Sequence, residues 1–277
     1  MTDRDAPGGR TLLTEFVDSW KIVRRERPSV CFTMNPSIFS SWWLSLLARI
    51  YNFRLVTDLH TVNIKLTGLK KIFFEMVFNS GIRRSDLVIV TNSIYRETVL
   101  KLNANVVIVP DALPELKANA EEFFSIQKKT SNKMQVLLVS SFDDDEPIDE
   151  VLAIDTDLDG VEILITGNWR KKYNSPPEKK NIRFMGFVDK EEYERLLLSV
   201  DGLLVLTESE GCLCCGAYEA FSAGKPLILS RTMALKQFFG TAPIYTGNDS
   251  ASILSALRKL KAENDERVGM IAEAVTC

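Results

Sequence analysis

Short apolar runs rich in valine, isoleucine and leucine recur along the chain between longer amphipathic segments, an alternation that predicts buried strands separated by helices. The predicted strands span 30–34, 54–59, 86–91, 105–109, 134–140, 161–166, 182–187, 202–207, 226–230 and 243–245. Strands apolar at nearly every position are covered on both faces, so the expected class is α/β with parallel sheets. Between residues 110 and 134 the pattern lapses into polar residues, and Lys128-Lys129-Thr130-Ser131-Asn132-Lys133 reads as a linker. The expected organisation is an N-terminal domain over 1–125, a linker over 126–133 and a C-terminal domain over 134–277. No internal repeat of solenoid length is visible.

With 277 residues, 45% of them hydrophobic, the chain has material for two domains with cores of their own. A formal net charge of −3 offers no overall attraction to a polyanion, so nucleic acid is not an expected partner. Three of the five cysteines are packed into Cys212, Cys214 and Cys215, which suits reduced thiols better than the disulfide framework of a secreted protein. Three sulfurs so close in sequence cannot readily wrap one zinc ion, and the sole histidine, His60, is distant; no metal is expected. Residues 1–10 are polar and lack the apolar core of a signal peptide. The longest apolar stretches, 38–47 and 72–78, fall short of the roughly 20 residues that cross a bilayer. A cytoplasmic protein is expected.

Residues 208–230 join an acidic loop, a short helix, a Gly224-Lys225-Pro226 break and a buried strand. The loop opens at the carboxyl end of a predicted parallel strand, where open α/β sheets bind ligands. Beyond the Gly211 turn, the amides of residues 212–216 can meet an anion at the helix start, while Glu210 and Glu219 can accept hydrogen bonds from hydroxyls. That combination suits a phosphate beside a sugar; the plain alternative makes Glu219 a solvated helix residue. Thr57-Asp58-Leu59-His60-Thr61 ends another strand, and Asp58 can hold the tautomer of His60 or act as a base toward an acceptor hydroxyl. Here the plain alternative is a capping Asp beside a loop histidine.

The 208–230 segment resembles the E-x7-E signature of GT-B glycosyltransferases, the class that includes sucrose- and glycogen-synthase-like enzymes. Gly216-Ala217-Tyr218-Glu219-Ala220 with Ala223-Gly224-Lys225-Pro226 is similar to that family's Glu-Ala helix and Gly-Lys-Pro turn. Val107-Ile108-Val109-Pro110-Asp111 is similar to the strand end that closes its first domain. Eight residues, not seven, separate Glu210 from Glu219, so Glu208 is a second candidate for the first position. The resemblance implies two Rossmann-like domains of GT-B type with parallel sheets, the first abbreviated because the family's opening strands and glycine-rich acceptor loop have no counterpart. It implies a nucleotide diphosphate sugar as co-substrate, with no cofactor and no metal.

By the same resemblance the donor is bound by Glu210, Gly211, Cys212, Leu213, Cys214 and Glu219, with Ser140, Ser141 and Gly167 from neighbouring strand ends. In the family the first Glu lies near the donor sugar and the second binds the ribose. His60 and Asp58 take the catalytic position, similar also to the Asp-Trp-His of the chitobiosyldiphosphodolichol β-mannosyltransferase group. Where many relatives carry Arg and Lys after the first strand of the second domain, this chain has Ser140-Ser141-Phe142-Asp143-Asp144-Asp145-Glu146-Pro147, similar to that same group. Arg170, Lys171 and Lys172, with Lys225 and Arg231, are candidate substitutes for the missing cations; a solvated loop is the other reading of the first three. The Asp143–Asp145 run is expected to be a solvated turn before a helix near Pro147, rather than the metal motif of the other glycosyltransferase fold.

Trp42, Trp43, Leu46 and Leu47 with Arg49 form one apolar segment, and Lys65, Lys70, Lys71, Arg83 and Arg84 flank another. Each reads as a core-facing helix or as a membrane-interface segment. Together, in the acceptor domain, they favour a lipid-linked or polysaccharide-precursor acceptor and a peripheral place at the cytoplasmic membrane face. The expected activity is metal-independent transfer of a sugar from a nucleotide diphosphate sugar. The alternatives are a non-catalytic subunit with a partner chain completing the N-terminal domain, and a nucleotide-sugar epimerase of the same fold.

Overall fold

The computed structural model describes residues 12–34, 38–60, 68–116 and 133–276. The expected linker over 126–133 lies outside these residues apart from Lys133, as do Thr61 and Lys65. Two compact units are present, Met1–Asp111 and Ala112–Cys277.

The N-terminal unit alternates α1 (Leu12–Glu26), β1 (Val30–Met34), α2 (Ile38–Tyr51), β2 (Arg54–Leu59), α3 (Gly68–Arg84), β3 (Leu87–Val90), α4 (Ser93–Leu100) and β4 (Val106–Ile108). Its four strands are all parallel and lie in chain order, β1-β2-β3-β4. Leu59, Ile82, Val88 and Val99 sit in one core cluster, and Val23, Leu47, Phe53 and Leu55 in another. The apolar residues of α2 largely face inward: Leu47 is buried, and Trp43 stacks on Phe16 while its indole N–H reaches the Phe16 carbonyl and Ser19 Oγ. The membrane-interface reading therefore loses Trp43 and Leu47.

In the C-terminal unit β5 (Met134–Val139), α5 (Ile148–Ala153), β6 (Val161–Thr166) and β7 (Ile182–Gly186) are followed by α6 (Lys190–Ser199) and β8 (Gly202–Val205). Then come α7 (Cys215–Ser222), β9 (Leu227–Ser230), α8 (Met233–Phe239), β10 (Ile244–Thr246) and α9 (Ser250–Thr276). All ten predicted strands are present, with ends shifted by at most two residues. The six strands are parallel in the order β10-β9-β8-β5-β6-β7. Every position of β8 and β9 is buried, which explains why they read as unbroken apolar runs. From β5 the chain works outward to β7, then returns to the other side of β5 for β8. That reversal makes the gap between the carboxyl ends of β5 and β8 the topological switch point, the place where a doubly wound sheet leaves a crevice.

Candidate functional site: a cavity at the switch point

Two glycines hold the elements around the carboxyl end of β5 close together. A Cβ on Gly167 would stand 1.9 Å from the Ser140 carbonyl oxygen, and its φ of 114° already lies where L side chains are strained. A Cβ on Gly216 would meet Val139 at 2.9 Å, so the first turn of α7 rests directly on β5. A cavity of about 510 Å³ opens at these strand ends. Val139 and Ser140 line it from the end of β5, Thr166 and Gly167 from β6, Phe187 and Val188 from β7, Tyr193 and Leu197 from α6, and Glu219 from α7.

Glu219 is half-buried, and burial pushes its carboxyl up from the ordinary glutamate value while a hydrogen bond from the Tyr193 hydroxyl pulls it partly back. Tyr193 is itself driven upward, first by burial and then by the Glu219 carboxylate, so its hydroxyl stays a donor. Asp189 fixes this geometry from the sequence side. Its carboxylate accepts from the Glu192 amide at 2.9 Å and so starts α6 at the register that aims Tyr193 at Glu219.

Ser140 and Ser141 belong to a second arrangement. The Ser140 hydroxyl, the Ser141 amide and hydroxyl and the Phe142 amide all donate to the two oxygens of Glu146, with Phe142 in the left-handed region at φ 58°. An internal carboxylate thus fills the anion-holding curl that follows β5. Asp145 ties the same loop to β8: its Oδ2 accepts from the buried Thr207 hydroxyl at 2.7 Å, and its carbonyl accepts from the Glu208 amide. The acidic run is therefore not merely a solvated turn, as its sequence suggested. It fastens the two strand ends that flank the crevice.

The candidate cations are placed elsewhere. Lys171 pairs with Asp143 at 2.9 Å, Arg170 stacks on Trp169, and Lys172 donates to the Glu146 carbonyl. Lys225 donates to the Leu198 carbonyl and Arg231 to the Tyr245 carbonyl. Among the described residues lining the cavity, only Lys190 carries positive charge. Glu210 does not line it; its Oε2 accepts from the Met233 amide at the start of α8, which Thr232 caps. Gly211 and Leu213 are buried in the loop between Glu210 and α7. In that loop the sulfurs of Cys212 and Cys214 lie 3.7 Å apart. The Cys214 S–H lowers Cys212 below an ordinary thiol against the opposing effects of burial, Asp145 and Glu146, while Cys214 is raised by the same contact and by burial. No group of three or more His, Cys, Asp or Glu among the described residues is placed to hold a metal ion.

In the N-terminal unit, His60 stands at the carboxyl end of β2 between two carboxylates. Its Nε2 is 3.2 Å from Asp58 Oδ2, and its Nδ1 is 3.4 Å from Asp111 Oδ1. Sequence reasoning found Asp58 but missed Asp111, and it missed Phe187, Val188, Tyr193 and Glu146 in the C-terminal unit. The signal for Phe187 and Val188 was present, since Gly186-Phe187-Val188-Asp189 ends a predicted strand just as the other loops do. A larger cleft of about 960 Å³ runs along β10 past Arg231, Lys236 and Lys259, but of the candidate residues only Arg231 lines it.

No protein-family model matches the sequence, and no curated protein does either. Solved structures do match. Sucrose-phosphate synthase from Thermosynechococcus elongatus superposes with a TM-score of 0.72 at 17% identity, covering 92% of this chain and 69% of that one. The HepE protein of Anabaena, solved with UDP and glucose, gives 0.64 at 15% identity over 92% of this chain and 80% of that one. The chain has the GT-B fold. A UDP-GlcNAc 2-epimerase from Methanocaldococcus jannaschii gives 0.55 at 15% identity over 91% of this chain and 76% of its own. The GT-B units here are a four-stranded and a six-stranded parallel sheet, and the six-stranded one holds the cavity.

Proposed function

We propose that this chain transfers a sugar from a nucleotide diphosphate sugar to a lipid-linked or polysaccharide-precursor acceptor. The observation that carries the reading is Glu219, a half-buried carboxylate lining a 510 Å³ cavity at the carboxyl ends of β5, β6 and β7 in a doubly wound sheet. In this reading Glu219 accepts from a ribose hydroxyl, and the apolar wall of Leu116, Phe187, Val188 and Leu197 takes the base. The amides of Cys214, Cys215 and Gly216 open α7 and meet the diphosphate. Glycosyltransferase neighbours, one of them solved with UDP and glucose, support a uridine nucleotide as the first to try. They outrank the epimerase in structural similarity, which favours transfer over epimerisation.

His60 with Asp58 is proposed to serve the reacting centre, and the leaving diphosphate is neutralised by helix amides rather than a metal ion. A lipid-linked acceptor is supported by α3, whose Leu69, Ile72, Phe73 and Met76 are exposed on one stripe near Lys70 and Lys71. The deciding experiment is calorimetric titration with UDP, GDP and ADP. Glu219→Gln should lose about 1.5 to 3 kcal/mol, roughly ten- to hundredfold in affinity, because a charge-assisted hydrogen bond is lost. Unchanged affinity in a folded variant defeats the assignment. Turnover is then assayed with chelator present, where loss of activity restored by magnesium or manganese returns the acidic run to a metal-holding role.

A second reading, a subunit that works with a partner chain, is favoured by β1. This edge strand exposes Val30, Phe32 and Met34, alternate residues on one face, and its outer edge pairs with no strand among the described residues. Turnover that appears only when a second polypeptide is supplied supports it.

A further inference from the structure

We propose that Tyr193 is a positioning residue that orients the Glu219 carboxylate to accept from a ribose hydroxyl. The inference rests on the reading of the cavity as a nucleotide site. Tyr193 and Glu219 come from helices on successive crossovers, 26 residues apart, and meet inside the cavity wall. Burial alone drives a carboxylate toward its neutral form, which offers a hydroxyl proton and loses much of its power to accept. The Tyr193 O–H opposes this by donating to Oε2. A fixed donor on Oε2 also restrains rotation of the carboxylate of this cavity-lining residue, which is what orienting it for a ligand hydroxyl requires. The hydroxyl cannot exchange roles with the carboxylate, because its own proton is held far above the working range by burial and by Glu219.

A tie that served only to join α6 to α7 would stabilise the fold without regard to the ligand's hydroxyls. The two roles separate in the ligand. Tyr193→Phe keeps the ring and removes one oxygen, and calorimetry compares UDP with 2′,3′-dideoxyuridine diphosphate on both proteins. The expected result is a roughly tenfold loss for UDP and little change for the dideoxy nucleotide. The acid-side fall in UDP affinity should also move to higher pH in the variant, since removing a donor that favours the charged form raises the Glu219 pKa further. In a Glu219→Gln background the same substitution should change UDP affinity little, closing a double-mutant cycle. Equal loss for both nucleotides, or no loss for UDP and an unmoved pH profile, overturns the proposal alone. Wild-type protein that binds no nucleoside diphosphate removes the nucleotide reading and this proposal together.

Discussion

At the scale of single residues, the two units place their chemistry differently. His60 is held by Asp58 and Asp111 within its own unit, so its orientation is set before any ligand arrives. If it serves the reacting centre, His60→Ala should lower turnover by roughly 100-fold while nucleotide affinity changes little, because general acid–base or positioning roles act on the transition state. Normal turnover in the variant would make the histidine structural. Cys212 offers an independent check on the loop proposed to meet the donor. Its thiol is lowered by the Cys214 S–H, so iodoacetamide at neutral pH should modify it before exposed Cys215, and bound UDP should protect it. Cys214→Ala removes the hydrogen bond, raises the Cys212 pKa and should slow that reaction near neutrality, with the difference vanishing at high pH where both thiols are ionised. Peptide mapping after timed alkylation reads the order, and Cys215 reacting first contradicts the lowered pKa.

Elements were legible from the sequence where burial is symmetrical and obscure where it is not. The strands could be read because β8 and β9 are buried at every position, and their type needed no knowledge of neighbours. Glu219 was legible for a similar reason: it sits in a short helix between two such strands, framed by glycines. The acidic run is the turn before a helix that its sequence suggested, with Asp143 and Asp144 exposed, but its contacts 28 and 62 residues away, Asp143 with Lys171 and Asp145 with Thr207, are recorded by no local pattern. Glu210 was read as a sugar-binding group; its carboxylate accepts from the Met233 amide at the start of α8, a contact 23 residues away that periodicity does not record. Asp145→Ala tests the tie to Thr207. It withdraws a charged acceptor from the hydroxyl of Thr207, which is only 1% exposed, and should cost the C-terminal unit about 2 kcal/mol in denaturant unfolding, with weaker UDP binding as the crevice loosens. A variant as stable as wild type would leave the run a solvated turn and nothing more.

Across the whole molecule, apolar surface is distributed unevenly. In the C-terminal unit one cluster joins β5, β6 and β8, and further buried residues such as Leu137, Leu203 and Leu229 lie outside it, whereas the N-terminal unit leaves part of α3 and β1 bare. Helix α3 is apolar on two sides. Phe78 and Ile82 face the core, while Leu69, Ile72, Phe73 and Met76, spaced i, i+3, i+4 and i+7, are between 50% and 85% exposed. Sequence periodicity could not separate the two sides, because a helix apolar all round looks like a buried one. No helix among the described residues is long and apolar enough to cross a membrane. Lys70, Lys71 and Arg83 are exposed on the same helix, with Lys71 offset by Glu75 at 3.7 Å, and this basic fringe favours anionic lipid even though the chain as a whole carries −3. Burying these apolar side chains to interfacial depth should contribute about 1 kcal/mol each, and each nearby cation about as much at low salt. Sedimentation with vesicles of phosphatidylglycerol and phosphatidylcholine should therefore show binding that weakens with salt and with falling anionic content. Phe73→Ser with Met76→Ser should reduce partitioning by roughly tenfold or more without changing UDP affinity in the other unit. Equal partitioning of wild type and variant would remove the membrane from the acceptor reading, and a variant that loses only self-association would assign the stripe to a second copy of the chain.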